Sequence, residues 1–300
     1  MMIDMRDAFF ERIVDKALLD ERIIFLSADH RAFALKRFEE TIPERYINIG
    51  ISEQNMVGVA SGLAASGKIV FIYGISPFVS LRVLEQITLD ISAMQLPVNI
   101  ISVGAGFTYS TDGPTHHGLQ DLSALITVPN INILNSSDPS NTKYFVDYVI
   151  ASKLPHYIRI EKEKLPFLND DKKDLISIEK GYSFLKKGIG NILLVSTGII
   201  VHNLIENIQT LKNELKDDIA IIDLFKIKPI NTEVFNILSK YKYVITIEEG
   251  YKSGMGSFLQ SSITNNLIKK HRFLILYHKE PKSIRPKATN TMMPILMTVL

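Results

Sequence analysis

Residues 46–55 read Tyr-Ile-Asn-Ile-Gly-Ile-Ser-Glu-Gln-Asn and predict a short strand that turns directly into a helix. The following residues, 56–66, have the Ala, Gly, Val and Leu content of a buried helix. Ser52 suits the N-cap, which places Glu53 in the first helical turn. In an open α/β sheet, ligands bind at the edge where such a turn lies. Glu53 is therefore a candidate site residue; the alternative is that it only complements the helix dipole.

Short apolar segments alternate with helical patterns along the whole chain. Besides the strand at 46–49, strands are predicted at residues 23–27, 69–73, 97–103, 132–134, 157–160, 191–196, 219–223, 243–247 and 273–277. Helices are predicted at residues 7–19, 56–66, 79–94, 140–151, 202–216, 231–240 and 257–266. This alternation is typical of parallel sheets, so we expect an α/β protein with two parallel-sheet domains.

A charge-dense stretch between residues 161 and 187 interrupts the alternation. Such a composition is typical of an exposed connection between domains. We therefore expect a first domain at residues 1–165, a linker at 166–187 and a second domain at 188–300.

The overall composition is that of an ordinary globular protein and argues against several kinds of site. Of the 300 residues, 46% are hydrophobic and 22% are charged, and the net charge of +2 is too small to favour nucleic acid or a membrane surface. The chain has no cysteine, which excludes disulfides and zinc–thiolate sites. It has no signal-peptide pattern and no apolar run of the roughly 18–20 residues that a spanning helix needs, so we expect a cytoplasmic protein.

Further polar segments follow predicted strands of the first domain. Ser76-Pro77-Phe78 follows the strand at 69–73, and Asp112-Gly113-Pro114-Thr115-His116-His117-Gly118 lies in a long loop after the strand at 97–103. His30 follows the first strand. Because the carboxyl ends of parallel strands share one edge, we expect these segments to lie near Glu53. Adjacent histidines point apart in an extended chain and no further ligands follow at suitable spacing, so no metal site is predicted.

The motifs Ile-Ser-Glu-Gln-Asn at 51–55 and Asp-Gly-Pro-Thr-His-His at 112–117 resemble the pyrimidine-binding region of the transketolase family of thiamine-diphosphate enzymes. Weaker matches at 195–198, 227–230 and 248–250 resemble the C-terminal domain of the same family. The resemblance covers nearly the whole chain. It implies thiamine diphosphate as the cofactor, with a pyrimidine-binding domain followed by a transketolase C-terminal domain.

The resemblance implies a cofactor-binding group. Glu53 matches the glutamate that hydrogen-bonds the pyrimidine ring nitrogen and favours the tautomer that removes the thiazolium proton, which makes it catalytic. Phe78 matches the aromatic residue that packs on the pyrimidine ring; taken alone, it would be interpreted as a core residue. Ser76 and Leu81 are expected beside the cofactor.

The resemblance also implies a substrate-binding group. His116 matches the histidine that contacts the sugar near its carbonyl and hydroxyl oxygens, and we expect it to be catalytic. Asp112 matches a carboxylate that recognises a substrate hydroxyl. His117 and His30 are further candidates for substrate contacts.

The diphosphate-binding domain of the family is missing from this sequence. Its mark is a Gly-Asp-Gly motif followed by an asparagine, which together hold a divalent ion and the diphosphate, and the chain contains no Gly-Asp-Gly. The resemblance therefore implies a split enzyme. A partner chain would bring the diphosphate-binding domain with Mg²⁺ or Ca²⁺, the active site would form at the interface, and the assembly would be α2β2.

Two departures from the family pattern concern the substrate. The Arg-Pro-x-Asp segment, whose arginine holds a substrate phosphate, is Asn135-Ser136-Ser137-Asp138 here. Asparagine lacks the charge of arginine, so a phosphorylated acceptor requires Arg31, Arg159 or the partner to supply the contact. Leu81 stands where the family has an aromatic residue or an arginine, with Arg82 one place later. We expect an altered substrate choice with the thiamine chemistry retained.

The sequence thus predicts one subunit of a transketolase-type transferase that moves a two-carbon ketol unit from a ketose to an aldose. Three alternatives stay open: the beta subunit of a two-oxoacid dehydrogenase, a 1-deoxyxylulose-5-phosphate synthase-like carboligase, and a non-catalytic interaction protein. The Pro-Thr-His-His sequence favours transketolase over the first, and the missing domain argues against the second. The presence of both Glu53 and His116 argues against the third.

Overall fold

A computed structural model describes residues 2–168, 175–263 and 272–277 of the chain. Its strands, numbered in chain order, are β1 (Met2–Asp4), β2 (Ile23–Ser27), β3 (Tyr46–Asn48), β4 (Ile69–Ile75), β5 (Val98–Val103), β6 (Asn132–Asn135), β7 (His156–Ile160), β8 (Lys164–Pro166), β9 (Ser183–Lys186), β10 (Ile192–Ser196), β11 (Ala220–Asp223), β12 (Lys226–Lys228), β13 (Tyr243–Ile247) and β14 (Arg272–Leu276). All the strands predicted from the sequence are present, with ends that differ by one or two residues.

The α-helices, numbered in the same way, are α1 (Met5–Leu19), α2 (Leu35–Thr41), α3 (Glu53–Ala65), α4 (Leu84–Gln86), α5 (Asp121–Leu125), α6 (Pro139–Ser152), α7 (Leu175–Lys180), α8 (Ile200–Glu206), α9 (Ile208–Leu215), α10 (Thr232–Leu238) and α11 (Met255–Ser262). Short 3₁₀ turns cover Pro43–Arg45, Leu81–Val83, Ser110–Asp112 and Pro114–His116, and a π-helical turn covers Ile87–Ser92.

The larger sheet has the strand order β12-β6-β7-β5-β4-β2-β3. Its neighbours run parallel except β12, which pairs antiparallel with β6. Every residue of β2, β5 and β7 is buried, as expected for parallel strands that are covered on both faces. The sheet therefore aligns the carboxyl ends of β2, β3, β4 and β5 along one edge.

Helix α1 illustrates how the local sequence builds the layer on one face of this sheet. The carboxylate of Asp4 accepts hydrogen bonds from the backbone N–H groups of Arg6 at 3.0 Å and Asp7 at 3.2 Å, so the helix begins at Met5, two residues before its predicted start. Its buried face includes Phe9 and Phe10, which form edge-on contacts with rings of the sheet. The helix is thus anchored at its start and along its apolar face.

The second sheet has the order β14-β13-β10-β11-β9, and its neighbours run parallel except β9, which is antiparallel to β11. The expected class, α/β with two parallel sheets, is confirmed. The antiparallel strands β1, β8, β9 and β12 were not predicted because they are only three or four residues long and lack a clear alternation. Strand β9 lies within the predicted linker, residues 166–187, and β12 pairs with the sheet of the first domain.

The two sheets are packed around a common apolar core. One buried cluster contains Ile133 and Tyr157 of the larger sheet together with Ile222 and Leu224 from the region of β11. A contact of this kind fixes the second sheet beside the first. No helix in the described part of the chain is long and apolar enough to cross a membrane.

Candidate active site

Glu53 is the first residue of α3 and lies beyond the carboxyl end of β3. The connecting turn uses Gly50 at a φ of 75°, a backbone conformation that favours glycine. The side-chain oxygen of Asn48 accepts from the N–H of Gly50 at 3.0 Å and fixes this turn. Ser52 is the N-cap residue as predicted, but its hydroxyl makes no capping hydrogen bond, because its backbone (φ −151°, ψ 66°) is not in the usual capping conformation. The turn places the Glu53 side chain in a buried position, 3% exposed.

The carboxylate of Glu53 is paired with an arginine. Arg82 donates from Nη1 to Oε1 of Glu53 at 2.7 Å, and its Cζ lies 4.1 Å from the centroid of the Phe78 ring. Arg82 belongs to a 3₁₀ turn within the stretch where a single helix was predicted, residues 79–94. The prediction of one continuous α-helix is wrong, because the stretch consists of short 3₁₀, α and π segments. Irregular turns of this kind are frequent at functional sites.

His116 reaches the same place from the long loop at 104–118. Its ring lies edge-on to Phe78, with 5.1 Å between centroids, and its Nδ1 is 3.0 Å from the hydroxyl of Thr115. The loop is closed at its base by an antiparallel bridge between Gly106 and Gly118. The structure therefore brings Glu53, Phe78 and His116, which the sequence places 25 to 63 positions apart, to one edge of the sheet.

His30 lies beside this group at the end of β2. It is half-buried, and its Nε2 is buried without a hydrogen-bond partner among the described residues. Burial lowers the pKa of His30, and the nearby carboxylate of Glu53 opposes that shift. The imidazole therefore lies within electrostatic range of both Glu53 and His116.

The other predicted site residues take different positions. Asp112 is exposed in the loop, and His117 packs against Phe107 with 5.0 Å between ring centroids. Leu81 is 37% exposed at the rim of the site. Ser76 is fully buried, and its hydroxyl lies 3.3 Å from the hydroxyl of Tyr157. The structure therefore places Ser76 beneath the loop, in a position from which it supports other groups.

A buried polar network below the loop was not predicted. Arg159 donates from Nε to Asp121 at 2.8 Å, and Tyr157 donates to the same carboxylate oxygen at 2.8 Å. Of the three sources of a phosphate contact that the sequence left open, Arg31, Arg159 and the partner, Arg159 is 3% exposed and its charge is paired with Asp121. A single arginine inside an apolar strand was the sequence signal for this network.

A buried glutamate of the first domain joins the same loop to the second domain. Glu161, which the sequence placed in the charge-dense stretch, is 2% exposed. Its carboxylate accepts from the N–H of Ile199 at 3.3 Å and from the hydroxyl of Thr108, in the loop, at 3.2 Å. Burial raises the pKa of Glu161 to about 8, although the cation of Arg159 opposes the shift.

The segment at 135–138 is inaccessible to substrate. All four of its residues, Asn135-Ser136-Ser137-Asp138, are fully buried. Asp138 caps α6 through a capping box, and the hydroxyl of Ser137 donates to Asp223 at 2.7 Å. The segment stabilises the contact between the domains instead of binding a phosphate.

A cavity of about 420 Å³, called the cationic cavity below, is formed by residues of α1, of α2 and of the segment that precedes α2. It is lined by Arg6, Arg31, Phe33, Lys36 and Glu39, together with Ala32 and Leu35. Arg31 directly follows His30. Burial raises the pKa of Tyr109, the cation of Arg6 opposes this shift, and the Tyr109 ring lies 6.3 Å from that of His116. The link to the Glu53 group is thus indirect: Arg31 is next to His30 in the chain, and Arg6 acts electrostatically on Tyr109.

Two family models match the chain. The pyrimidine-binding domain of transketolase matches residues 1–167, and the transketolase C-terminal domain matches residues 182–292. The chain is similar to one subunit of the apulose-4-phosphate transketolase of Actinobacillus succinogenes, with 31% identity over 76% of this chain and 73% of that protein. It is similar to the 6-deoxy-6-sulfo-D-fructose transketolase subunit SqwH of Clostridium sp. strain MSTE9, with 29% identity over 87% of this chain and 81% of that protein.

A solved structure shows the same likeness. It is described as a split-gene transketolase in an inactive beta4 tetramer, and it superimposes with a TM-score of 0.78 at 26% identity, over 92% of this chain and 88% of that one. The aligned part of this chain spans 73% and 81% of the two relatives and 88% of the solved structure. The chain therefore belongs to the transketolase family, as a subunit of a split transketolase.

Proposed function

We propose that this chain supplies the pyrimidine-binding half of an active site that transfers a two-carbon ketol unit from a ketose to an aldose. The observation that carries the proposal is the grouping of three side chains at one sheet edge. Glu53 is a buried carboxylate, Phe78 is an aromatic surface beside it, and His116 is a hydrogen-bonding group in contact with Phe78. These are the groups needed to hold a flat nitrogen heterocycle and a polar sugar side by side.

The residues present fit the pyrimidine ring of thiamine diphosphate. A planar cation, the guanidinium of Arg82, already lies over Phe78 and donates to Glu53, so the site accepts a flat N–H donor. When bound, the cofactor supplies the carbon that carries the ketol unit. Glu53 would share a proton with the ring nitrogen, and Phe78 would pack on the ring face. His116 would hydrogen-bond a sugar oxygen, with His30 as a second hydrogen-bonding group.

The remaining parts of the proposed assembly come from outside this chain. Because the sequence has no Gly-Asp-Gly, we assign the diphosphate and its Mg²⁺ or Ca²⁺ to a partner subunit with a diphosphate-binding domain. We also propose that the assembly is an α2β2 heterotetramer in the cytoplasm. The proposed domain boundaries of this chain are 1–165, 166–187 and 188–300. We further propose that Asp112, His117 and Leu81 contact the substrate or the cofactor. Glu53 and His116 have catalytic roles in this proposal.

The cationic cavity supports an anionic sugar as substrate. Its lining includes the cations Arg6, Arg31 and Lys36 and the carboxylate of Glu39. Arg6 is also paired with Asp4 at 3.6 Å and Lys36 with Glu40 at 3.4 Å, so the proposal relies mainly on Arg31. Guanidinium groups are the natural ligands of phosphate and similar oxyanions. The names of the two relatives each specify a sugar with a phosphate or a sulfo group. We therefore propose that the anionic end of the sugar binds in this cavity, in place of the arginine missing at 135.

The test is a reconstitution with the partner subunit and thiamine diphosphate. Ketol transfer should require both chains, and Glu53→Ala should remove it, whereas Glu11→Gln, an exposed carboxylate on α1, should leave it unchanged. Four donors are assayed in parallel: a ketose phosphate, a free ketose, pyruvate and a branched two-oxoacid. Turnover by this chain alone would contradict the split site. Turnover with pyruvate or a two-oxoacid but no ketose would favour the carboligase or dehydrogenase alternatives.

A further inference from the structure

We propose that Arg82 holds the place of the cofactor's pyrimidine ring in the cofactor-free chain, so that thiamine diphosphate must displace its side chain to bind. The inference rests on the proposed function and goes beyond it by naming a residue that competes with the cofactor. The contacts that carry it are the 2.7 Å hydrogen bond from Nη1 to Glu53 and the 4.1 Å distance from Cζ to the Phe78 ring centroid.

The guanidinium and the aminopyrimidine share their recognition chemistry. Both are planar, and both carry nitrogen atoms at the edge of the plane. Each can therefore lie over an aromatic ring while one of its nitrogen atoms shares or donates a proton to a carboxylate. Arg82 uses both Glu53 and Phe78 in this way, and these are the two groups that the ring of the cofactor needs.

The Glu53–Arg82 pair is asymmetric in a way that permits exchange. The Glu53 side chain is 3% exposed, whereas that of Arg82 is 42% exposed. The backbone of Arg82 is held by the N–H···O bond to Pro77 at 3.2 Å and by the amide of Gln54, which donates to its carbonyl at 3.3 Å. The side chain can thus turn into solvent while its backbone and the carboxylate stay in place.

The pair also explains how the carboxylate is tolerated before the cofactor binds. Among the described residues, Arg82 is the one that donates a hydrogen bond to Glu53. A buried carboxylate without a partner is strongly destabilising. Arg82 therefore offsets the burial of Glu53 in the free chain and gives up that contact when another donor arrives.

The test measures cofactor affinity and needs no turnover. In the complex reconstituted with the partner, titration calorimetry with thiamine diphosphate should give a Kd about tenfold lower for Arg82→Met than for wild type, because a charge-assisted hydrogen bond no longer has to be broken. Arg82→Lys, which keeps the charge but loses the planar group, should lower the Kd by about threefold. Arg37→Met is the control, since Arg37 is 47% exposed and is paired with Asp15 away from this site.

A purely structural role for Arg82 predicts the opposite sign, because loss of a supporting residue weakens binding. A Kd for Arg82→Met that equals or exceeds the wild-type value would overturn the inference. If Arg82→Met does not fold, Arg82→Lys carries the same test. A wild-type complex that binds no thiamine diphosphate would overturn the proposed function as well, whereas wild-type binding with an unchanged Kd in the variants would overturn this inference alone.

Discussion

Arg159 donates from Nη2 to the carbonyl oxygen of Gly118 at 2.6 Å, so a buried cation of β7 holds the end of the loop that carries His116. The same guanidinium is paired with Asp121. It also donates to the carbonyl oxygen of Glu249, in the second domain, at 3.3 Å. The position of a candidate catalytic histidine therefore depends on a charged group that does not face the site.

Arg159→Met should lower the free energy of unfolding by about 3–5 kcal/mol, because it leaves the carboxylate of Asp121 buried without its cation. Urea unfolding followed by circular dichroism measures the loss. The double variant Arg159→Met with Asp121→Asn removes the unpaired charge and should recover part of it. A loss below about 1 kcal/mol in the single variant would contradict the importance of this pair.

The raised pKa of Glu161 predicts a stability that falls as the pH rises. With a pKa of about 8 in the folded chain, Glu161 keeps a proton that the unfolded chain has already released. Between pH 6.5 and 8 each such group lowers stability by up to about 1.4 kcal/mol per pH unit. Burial likewise raises the pKa of Glu248 to about 7, so it adds to the slope in the lower part of this window.

The buried histidine that would oppose this pH dependence titrates below the range from pH 6.5 to 8. Burial lowers the pKa of His156 to about 3, so its opposite contribution ends near pH 6.5, where the unfolded histidine loses its proton. Glu161→Gln keeps the shape of the side chain and should flatten the slope between pH 6.5 and 8. Denaturation at a series of pH values compares the variant with wild type, and an identical slope in both would show that Glu161 is ionised in the fold.

Arg31→Met should raise the KM for a phosphorylated ketose about tenfold, since it removes one charge-assisted contact from the cationic cavity. The KM for the matching unphosphorylated sugar should stay the same. Arg37→Met, on α2 but outside the cavity lining, is the matched control. Steady-state kinetics of the reconstituted complex gives both values. Equal changes for both sugars would argue against an anion site at Arg31.

Gly118→Ala should disturb the loop at 104–118. A Cβ there would lie 2.5 Å from the carbonyl oxygen of Gly104 and 2.9 Å from Oγ of Ser76, so the backbone has to shift. Overpacking of this kind costs about 1–3 kcal/mol and should reduce kcat together with stability.

Gly62→Ala is the control for this substitution. A Cβ at Gly62, within α3, would meet nothing within 4 Å, so alanine should stabilise the helix by about 0.5–1 kcal/mol. Thermal unfolding distinguishes the two variants. A stable, fully active Gly118→Ala would show that the loop has room that the structure does not indicate.

The sequence by itself determined the class of the fold, and it predicted that the candidate site residues would lie at one edge of a sheet. Buried parallel strands are continuous apolar runs, which are visible locally, so β2, β5, β10 and β13 were predicted within a residue. The motifs that contain Glu53 and His116 likewise pointed to one sheet edge, because strand ends in a parallel sheet lie together.

Only the tertiary structure decided which side chains act as pairs. The contact of Arg82 with Glu53 joins residues 29 positions apart, and that of Arg159 with Asp121 joins residues 38 apart. Neither follows from hydrophobic periodicity, which reports burial of a face and not the partner of a charge. The structure therefore turned Arg159 from a candidate substrate ligand into a buried support. It also identified Arg82, which the sequence showed only as a shifted arginine, as the partner of Glu53.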